Sequence, residues 1–130
     1  MKTAQSASTN PNELSDELQK ELKRFLIPKL RSASYRWKFR SQAIKDARKE
    51  RGIYECAMCK GEYRNGEFIL DHVHPVVPLE GWDGKDWTQY INRMFCGTEG
   101  FQVLCKSCST IKTNFETEMR KINREKKKKS

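Results

Sequence analysis

The chain has 130 residues, of which 36% are apolar and 33% are charged. This length indicates one domain with tails. The apolar core of such a domain is thin, and a bound metal would help to stabilise it. The net charge of +9 favours a polyanionic partner, nucleic acid first, over a merely solvated basic surface. The sequence has no signal peptide and no apolar run of membrane-spanning length, so we expect a cytoplasmic protein whose thiols stay reduced and bind metal.

The N-terminal part predicts a short tail followed by an amphipathic helix. Residues 1–9 are small and polar, and we expect them to be disordered. Asn10 can cap a helix, Pro11 suits its first position, and Glu13 completes a capping box. Pro28 should end or interrupt this helix, because proline cannot donate a backbone hydrogen bond to the preceding turn. Apolar side chains recur at helical spacing before it: Leu14, Leu18, Leu22, Phe25 and Leu26.

Residues 31–51 predict a second helix, which Gly52 ends. Eight basic residues stand in it against two acidic ones, with aromatic side chains interleaved. This pattern predicts a helix that is anchored to the core by its aromatics and contacts phosphates with its basic side chains. The alternative is a solvated charged face. The residues that we predict to contact nucleic acid here are Arg36, Lys38, Arg40, Lys45 and Arg48.

Two short runs, residues 61–64 and 67–70, flank Asn65-Gly66. Asn-Gly between such runs predicts a β-hairpin, because a type I′ turn needs a positive φ at both central residues. The second strand of this hairpin would place Asp71 and His72 at its end, where a reactive imidazole is held rigidly.

The remainder of the chain predicts a loop and two helices. Residues 75–85 are rich in proline and glycine and form the loop. Asp86 should cap a helix, with Gln89 three residues on, and residues 101–104 are a short apolar run that leads into Cys105. A last helix should start near Cys108 and continue through Met119. Residues 126–129 form a basic run that we expect to be disordered and to attract phosphate without specificity.

Four of the five cysteines form two Cys-x-x-Cys pairs, and this is the strongest signal in the sequence. Four thiolates complete a tetrahedral Zn²⁺ and leave no open position, so this zinc would be structural. The ligands would be Cys56, Cys59, Cys105 and Cys108. The remaining Cys96 is expected to be a small buried apolar residue.

The strand end between the two cysteine pairs predicts a hydrolytic site. Hairpin, Asp-His, loop and helix follow one another in the order of a ββα-metal nuclease. Asp71 suits a hard catalytic cation and His72 suits a general base. Ser109, in the first turn of the last helix, would be the second metal ligand, and Lys112 would contact phosphate. Two further residues have open roles: Glu116 as a remote ligand or orienting group, and His74 as a site, supporting or solvent-facing residue.

The pattern Cys-x-x-Cys, Asp-His-x-x-Pro and Leu-Cys-x-x-Cys-x-x-x-Lys resembles HNH endonucleases, especially short phage-encoded ones. The likeness covers about residues 26–116. The resemblance implies a Mg²⁺- or Mn²⁺-dependent DNA endonuclease with a structural zinc, in which Asp71 is the metal ligand and His72 the general base. It also suggests the context of a phage packaging or recombination machine in the host cytoplasm.

The sequence departs from this family in two places. Ser109 stands where the family has His or Asn, and a hydroxyl is the poorer metal ligand. No amide lies near Gly100, where the family has its middle Asn, and Asn92 is the nearest substitute upstream. Three accounts remain open: an active enzyme with weaker metal binding, a natural inactive relative that still binds DNA, or a deliberate change that disarms the nuclease.

We therefore predict an α+β protein with a treble-clef-like ββα-metal core. Residues 1–9 would be a disordered tail, 10–52 a basic helical extension, 53–120 the nuclease domain and 121–130 a basic tail. The rival prediction is a noncatalytic, zinc-stapled protein that binds nucleic acid and does not need Asp71 or His72.

Overall fold

The first element of the fold is a long helix. In the computed structural model, which describes residues 14–129, α1 spans Asp16–Ser34 and the Ser15 hydroxyl caps it by accepting the Leu18 N–H at 3.2 Å. The predicted tail of residues 1–9 and the predicted start of the helix at Asn10, Pro11 and Glu13 lie outside the described residues.

The prediction that Pro28 ends or interrupts the first helix is wrong, because α1 continues through it. Pro28 is exposed, whereas its neighbours Leu26, Ile27 and Leu30 are half-buried. We attribute the continuation to the packing of these apolar neighbours, which offsets the one backbone hydrogen bond that proline cannot donate.

The predicted single helix over residues 31–51 is also wrong. α2 covers only Lys38–Asp46, and a turn separates it from α1. At this turn the Trp37 indole N–H donates to the carbonyl of Cys96 at 2.7 Å, and the chain at Trp37 is extended with ψ 120°. The tertiary contact of Trp37 thus divides a stretch that its local pattern predicts to be continuous. The basic residues consequently lie on several elements.

The residues after α2 form a three-stranded antiparallel sheet. Its strands are β1 (Arg48–Glu50), β2 (Ile53–Glu55) and β3 (Glu62–Tyr63), with β2 in the centre. Gly52, predicted as a helix end, lies instead in the turn between β1 and β2 with φ +79°. The predicted division of the chain at residue 52 falls within this turn.

The hairpin predicted around Asn65-Gly66 does not form, since β3 pairs with β2 and β4 (Phe68–His72) pairs with β5 (Phe101–Cys105). Among the residues of this turn, Gly66 alone has a positive φ, +89°, and the Glu67 N–H donates to the Arg64 carbonyl at 2.9 Å. This is the geometry of a type II turn, whose twist does not match that of a two-residue hairpin.

The β4–β5 pair has α2 and α3 on one side and α4 on the other. α3 spans Trp87–Met94, and the Asp86 carboxylate caps it by accepting the Gln89 N–H at 3.1 Å, as predicted. The core lies where β5 meets the start of α4, and Leu104 there is fully buried.

The last helix, α4, spans Lys106–Lys129. It therefore begins two residues before Cys108 and includes residues 126–129, which the sequence predicted to be disordered. One face of α4 donates hydrogen bonds to successive backbone carbonyls of residues 72–80. The pairs are Lys112 to His72, Arg120 to Val77, Asn123 to Leu79 and Lys127 to Glu80. We call this row of bonds the α4 clasp.

The molecule is thus an α+β protein with two small sheets. Among residues 14–129, no helix combines the length and the apolar character that crossing a bilayer requires.

Candidate functional site

Four cysteines meet where the two sheets and α4 come together. The sulfur atoms of Cys56, Cys59, Cys105 and Cys108 all lie within 4.8 Å of one another. The Cys59 and Cys105 sulfurs are 3.9 Å apart, which is close to the ~3.8 Å between ligands of a tetrahedral site with Zn–S bonds of ~2.3 Å. The cysteine cluster can therefore hold a metal ion such as zinc, as the spacing predicted.

Local backbone geometry shapes this cluster on the β2–β3 side. Lys60 has a positive φ of 63°, which turns the chain back after Cys59. The Gly61 N–H then points at the Cys59 sulfur, 3.4 Å away. A Cβ on Gly61 would lie 2.9 Å from the Tyr63 hydroxyl, so glycine allows the Tyr63 side chain to approach. That hydroxyl lies 3.4 Å from the Cys59 sulfur and supports it from outside.

Backbone N–H groups also prepare the Cys56 sulfur to bind a cation. Burial raises the pKa of the Cys56 thiol, but hydrogen bonds from the N–H groups of Cys105, Cys59 and Met58 outweigh burial and lower this pKa to about 6. The hydrogen bond of Cys108 to Cys105 raises the pKa of Cys108, since adjacent sulfurs do not all ionise without a cation. The fifth cysteine, Cys96, lies outside the cluster and is half-buried, and burial raises its pKa.

The predicted catalytic pair lies at the end of β4, but its two side chains contact different elements. The Asp71 carboxylate accepts a hydrogen bond from the Gln102 amide and forms an ion pair with the Lys112 ammonium, and both distances are 3.1 Å. Successive residues of a strand face opposite sides, so His72 lies on the face that packs against α2 and α3. A ligand that contacts both residues must lie beyond the end of the strand.

Lys112 is the centre of a charged cluster on α4. Its ammonium lies 2.6 Å from Glu116, 3.1 Å from Asp71 and 3.1 Å from the His72 carbonyl. The three side chains are 15–23% exposed. Burial would lower the pKa of Lys112, but the Glu116 and Asp71 carboxylates outweigh it and raise this pKa. We call Asp71, Lys112 and Glu116 the Lys112 cluster.

This cluster changes the expected roles of two residues. All three donors of the Lys112 ammonium have acceptors within the protein, whereas the sequence predicted a phosphate contact. Glu116, predicted as a remote ligand or an orienting group, binds Lys112.

The His72 ring is oriented by its surroundings. Its Nε2 lies 3.0 Å from the Met94 carbonyl at the end of α3. Because a carbonyl only accepts, this contact requires a proton on Nε2, and in the neutral imidazole the lone pair is then on Nδ1. Phe101, opposite His72 in the β4–β5 register, packs against the ring at a centroid distance of 4.9 Å.

The three other predicted site residues lie on α4, on α3 and in the loop after β4. Ser109 is half-buried on α4, one turn before Lys112 and on the same face. Asn92 is exposed on α3, where Met94 makes the contact with His72. His74 is exposed in the loop after β4.

The predicted nucleic-acid contacts do not form a single helical stripe. Lys38, Arg40 and Lys45 lie on α2, Arg36 precedes α2, and Arg48 lies on β1. All are exposed except Arg40, which is half-buried with its guanidinium 5.4 Å from the Tyr35 ring centre and 5.6 Å from that of Phe101.

The sequence reasoning missed two partners of the strand end, Gln102 and the Met94 carbonyl. The β4–β5 register places Gln102 opposite Asp71, so the correct strand pairing would have revealed it. The Met94 carbonyl is a backbone group, and no side-chain pattern marks it.

Comparison of the chain with protein-family models, curated proteins and solved structures finds no match. The likeness to HNH endonucleases therefore rests on the motif residues alone and stays a prediction.

Proposed function

We propose that the protein is a metal-dependent endonuclease that hydrolyses phosphodiester bonds of DNA, with a ββα-metal site formed by β4, β5 and α4. The observation that supports this most is the state of His72. Its Nε2 is oriented toward the Met94 carbonyl, so in the neutral imidazole Nδ1 carries the lone pair that would take a proton from water. Such an oriented neutral imidazole is what a general base near neutral pH requires.

The chemistry divides between the two residues at the strand end. Asp71, with Ser109 or a water beside it, would hold Mg²⁺ or Mn²⁺, which when bound polarises the phosphate and neutralises the leaving oxygen. His72 Nδ1 accepts the proton of a water whose oxygen forms the new bond to phosphorus. The bond from phosphorus to the leaving oxygen then breaks. A phosphate located beyond the end of β4 is within reach of both faces.

The Lys112 cluster bears directly on this proposal. Lys112 already lies against Asp71 at 3.1 Å, so it must shift toward Glu116 when a divalent cation binds Asp71. Its strong contact with Glu116, at 2.6 Å, gives it a place to remain. The structural zinc would fix the start of α4, and with it Ser109, relative to β4 and β5.

Plasmid cleavage with Mg²⁺ and with Mn²⁺ tests the proposal. His72→Ala should lose about 10²–10⁴-fold in rate, the usual contribution of a general base. The matched control is His74→Ala, because His74 is exposed two residues away and should cleave within about threefold of the unchanged chain, as surface substitutions usually do. Ser109→His should cleave at least as fast as the unchanged chain, since it introduces the residue that the family resemblance places at this position. Equal cleavage by the His72 and His74 variants would refute the assignment.

A second candidate function is a noncatalytic, zinc-stapled protein that binds nucleic acid. The observation that favours it is that Asp71 is satisfied by Lys112 and Gln102 without a divalent cation. If neither the unchanged chain nor Ser109→His cleaves while both bind DNA, this function replaces the first. Under either proposal DNA is the partner and the cytoplasm the proposed location. The link to a phage packaging or recombination machine rests on the family resemblance.

A further inference from the structure

A cavity of about 310 Å³ lies on the His72 face of β4. Leu70 and His72, two residues apart on that face, form one wall. Arg31 from α1, Arg40 from α2 and Tyr90 from α3 line the other sides. The cavity is thus bounded by the N-terminal helices as well as by the strand that bears the predicted base. We call it the His72 cavity.

The side chains that carry a full charge in the lining of this cavity are both basic. Arg31 and Arg40 line it, and none of the described residues that line it is acidic. Within residues 14–129, neither guanidinium forms an ion pair with a carboxylate. Two unpaired guanidinium groups in one concave site favour an anionic ligand, because each presents several N–H donors in a planar fork that matches phosphate oxygens.

Aromatic rings fix one of these arginines next to His72. The Arg40 guanidinium lies against Tyr35 and Phe101 at 5.4 and 5.6 Å, and Phe101 packs on the His72 ring. Arg40 therefore has a defined position one ring away from the predicted base. Tyr35 lines the cavity and is 71% exposed, so its ring is accessible to a stacking base.

We propose that the His72 cavity binds one unpaired nucleotide of a DNA strand, with its phosphate on Arg31 and Arg40 and its base against Tyr35. The volume is near the lower limit of ligand pockets and has no room for a base pair. The α1–α2 segment is then part of the substrate site and not a separate binding arm. This inference rests on the proposed nuclease function, because the bound nucleotide would belong to the DNA strand whose phosphate faces His72.

Binding of a fluorescently labelled single-stranded oligodeoxynucleotide, measured by anisotropy without added Mg²⁺ or Mn²⁺, tests the inference. The double variant Arg31→Met/Arg40→Met removes both cavity cations. The matched control Lys20→Met/Lys29→Met removes two exposed charges from α1, outside the cavity. We expect affinity to fall at least tenfold in the cavity variant and less than threefold in the control.

The salt dependence gives a second readout that a purely structural role would not change. Each phosphate that is neutralised on a single strand contributes about 0.7 to the slope of log affinity against log salt, so the cavity variant should lose about 0.7 units and the control none. Because Arg40 packs on Phe101, the single variant Arg31→Met is measured alongside. It should lose part of this slope, and its thermal unfolding should match that of the unchanged chain.

The outcomes separate this inference from the nuclease proposal. Equal losses in the cavity and control variants would mean that only net charge matters and would overturn the inference, even if the protein cleaves DNA. Displacement of the oligonucleotide by equimolar inorganic phosphate would identify a free-anion site and would overturn it as well. A selective loss in the cavity variant supports it, even if no variant cleaves and the nuclease proposal fails.

Discussion

Two clusters of ionisable groups lie along the first three turns of α4, and they differ in the cation that can balance their acidic groups. The cysteine cluster brings four sulfurs within 4.8 Å and fits an ion from outside. The Lys112 cluster brings two carboxylates together around an ammonium of the chain itself. The comparison teaches that two clusters whose α4 residues, Cys108 and Lys112, are four positions apart can neutralise their acidic groups in two ways: one with a metal ion that it could bind, the other with a lysine of the chain itself.

The largest expected effect comes from emptying the cysteine cluster. Structural zinc in small domains contributes about 10–16 kcal/mol of apparent free energy, as much as the whole stability of a typical domain. Cys105→Ser, or a strong chelator, should therefore abolish cooperative thermal unfolding monitored by circular dichroism. Elemental analysis should find one zinc per unchanged chain and none in the variant.

The matched control for this prediction is Cys96→Ser, because Cys96 lies outside the cluster. It should keep one zinc per chain and a cooperative transition. A cooperative transition in Cys105→Ser without bound metal would mean that the cluster is not needed for the fold.

A smaller effect is expected from removing the internal cation with Lys112→Met. The variant leaves the Asp71 and Glu116 carboxylates without the cation that they share, although Asp71 keeps its hydrogen bond from Gln102. We expect the free energy of unfolding to fall by about 2 kcal/mol, between the values for exposed and for fully buried ion pairs. Lys49→Met is the control, since Lys49 pairs with Glu55 at 2.9 Å but is 50% exposed, and it should cost less than about 1 kcal/mol.

The same variant also tests whether a divalent cation can replace the ammonium. Millimolar Mg²⁺ or Mn²⁺ should raise the melting temperature of Lys112→Met more than that of the unchanged chain, because the two carboxylates are then free to bind it. An identical response of both chains would show that Asp71 and Glu116 do not form a cation site together.

The pH dependence should separate the two clusters further. The ordinary pKa of lysine is 10.5, and the carboxylates raise that of Lys112 in the folded state. Its stabilisation is therefore complete below pH 10.5 and is lost as the pH rises through the higher, folded value. The difference in unfolding free energy between the unchanged chain and Lys112→Met should stay constant from about pH 7 to 10 and shrink above it, in denaturant titrations. Acid, in contrast, should act on the cysteine cluster by protonating its thiolates and releasing metal.

The smallest effect is expected from the group that supports the cysteine cluster from outside. Tyr63→Phe removes the hydroxyl that lies 3.4 Å from the Cys59 sulfur. The affinity for zinc should fall about tenfold, at the low end for supporting groups of metal ligands, when measured by competition with a chromophoric chelator. Tyr54→Phe is the control, because Tyr54 packs on Phe68 and not on a cysteine. Equal zinc affinities of the two variants would show that the hydroxyl does not support the metal site.

The two clusters differ as much in how well the sequence predicts them. The cysteine ligands come in Cys-x-x-Cys pairs, and each pair is fixed by a local turn or by the first turn of α4, so their spacing alone identified them. The Lys112 cluster joins β4 to α4 across 41 positions of sequence, from Asp71 to Lys112. Its geometry depends on the β4–β5 pairing, which the local Asn65-Gly66 signal assigned to the wrong strand.

Helix boundaries show the same limit. Asp86 and its cap partner Gln89 lie three residues apart and were predicted correctly. Pro28 and the Tyr35–Trp37 turn were not, because packing around Leu26 and the Trp37 contact with Cys96, 59 positions away, decide them. Local chemistry was readable from the sequence, whereas contacts between distant residues were not.

The α4 clasp has a consequence for the order in which the protein folds. Its bonds join residues that are 40, 43, 44 and 47 positions apart. Contacts at such separations form late, since the chain must close a long loop before they stabilise anything. Residues 72–80 should therefore become ordered after α4 is complete, and their amides should exchange with solvent sooner than those of β5. The end of α4, far from the cysteines, thereby governs when the segment that follows His72 becomes ordered.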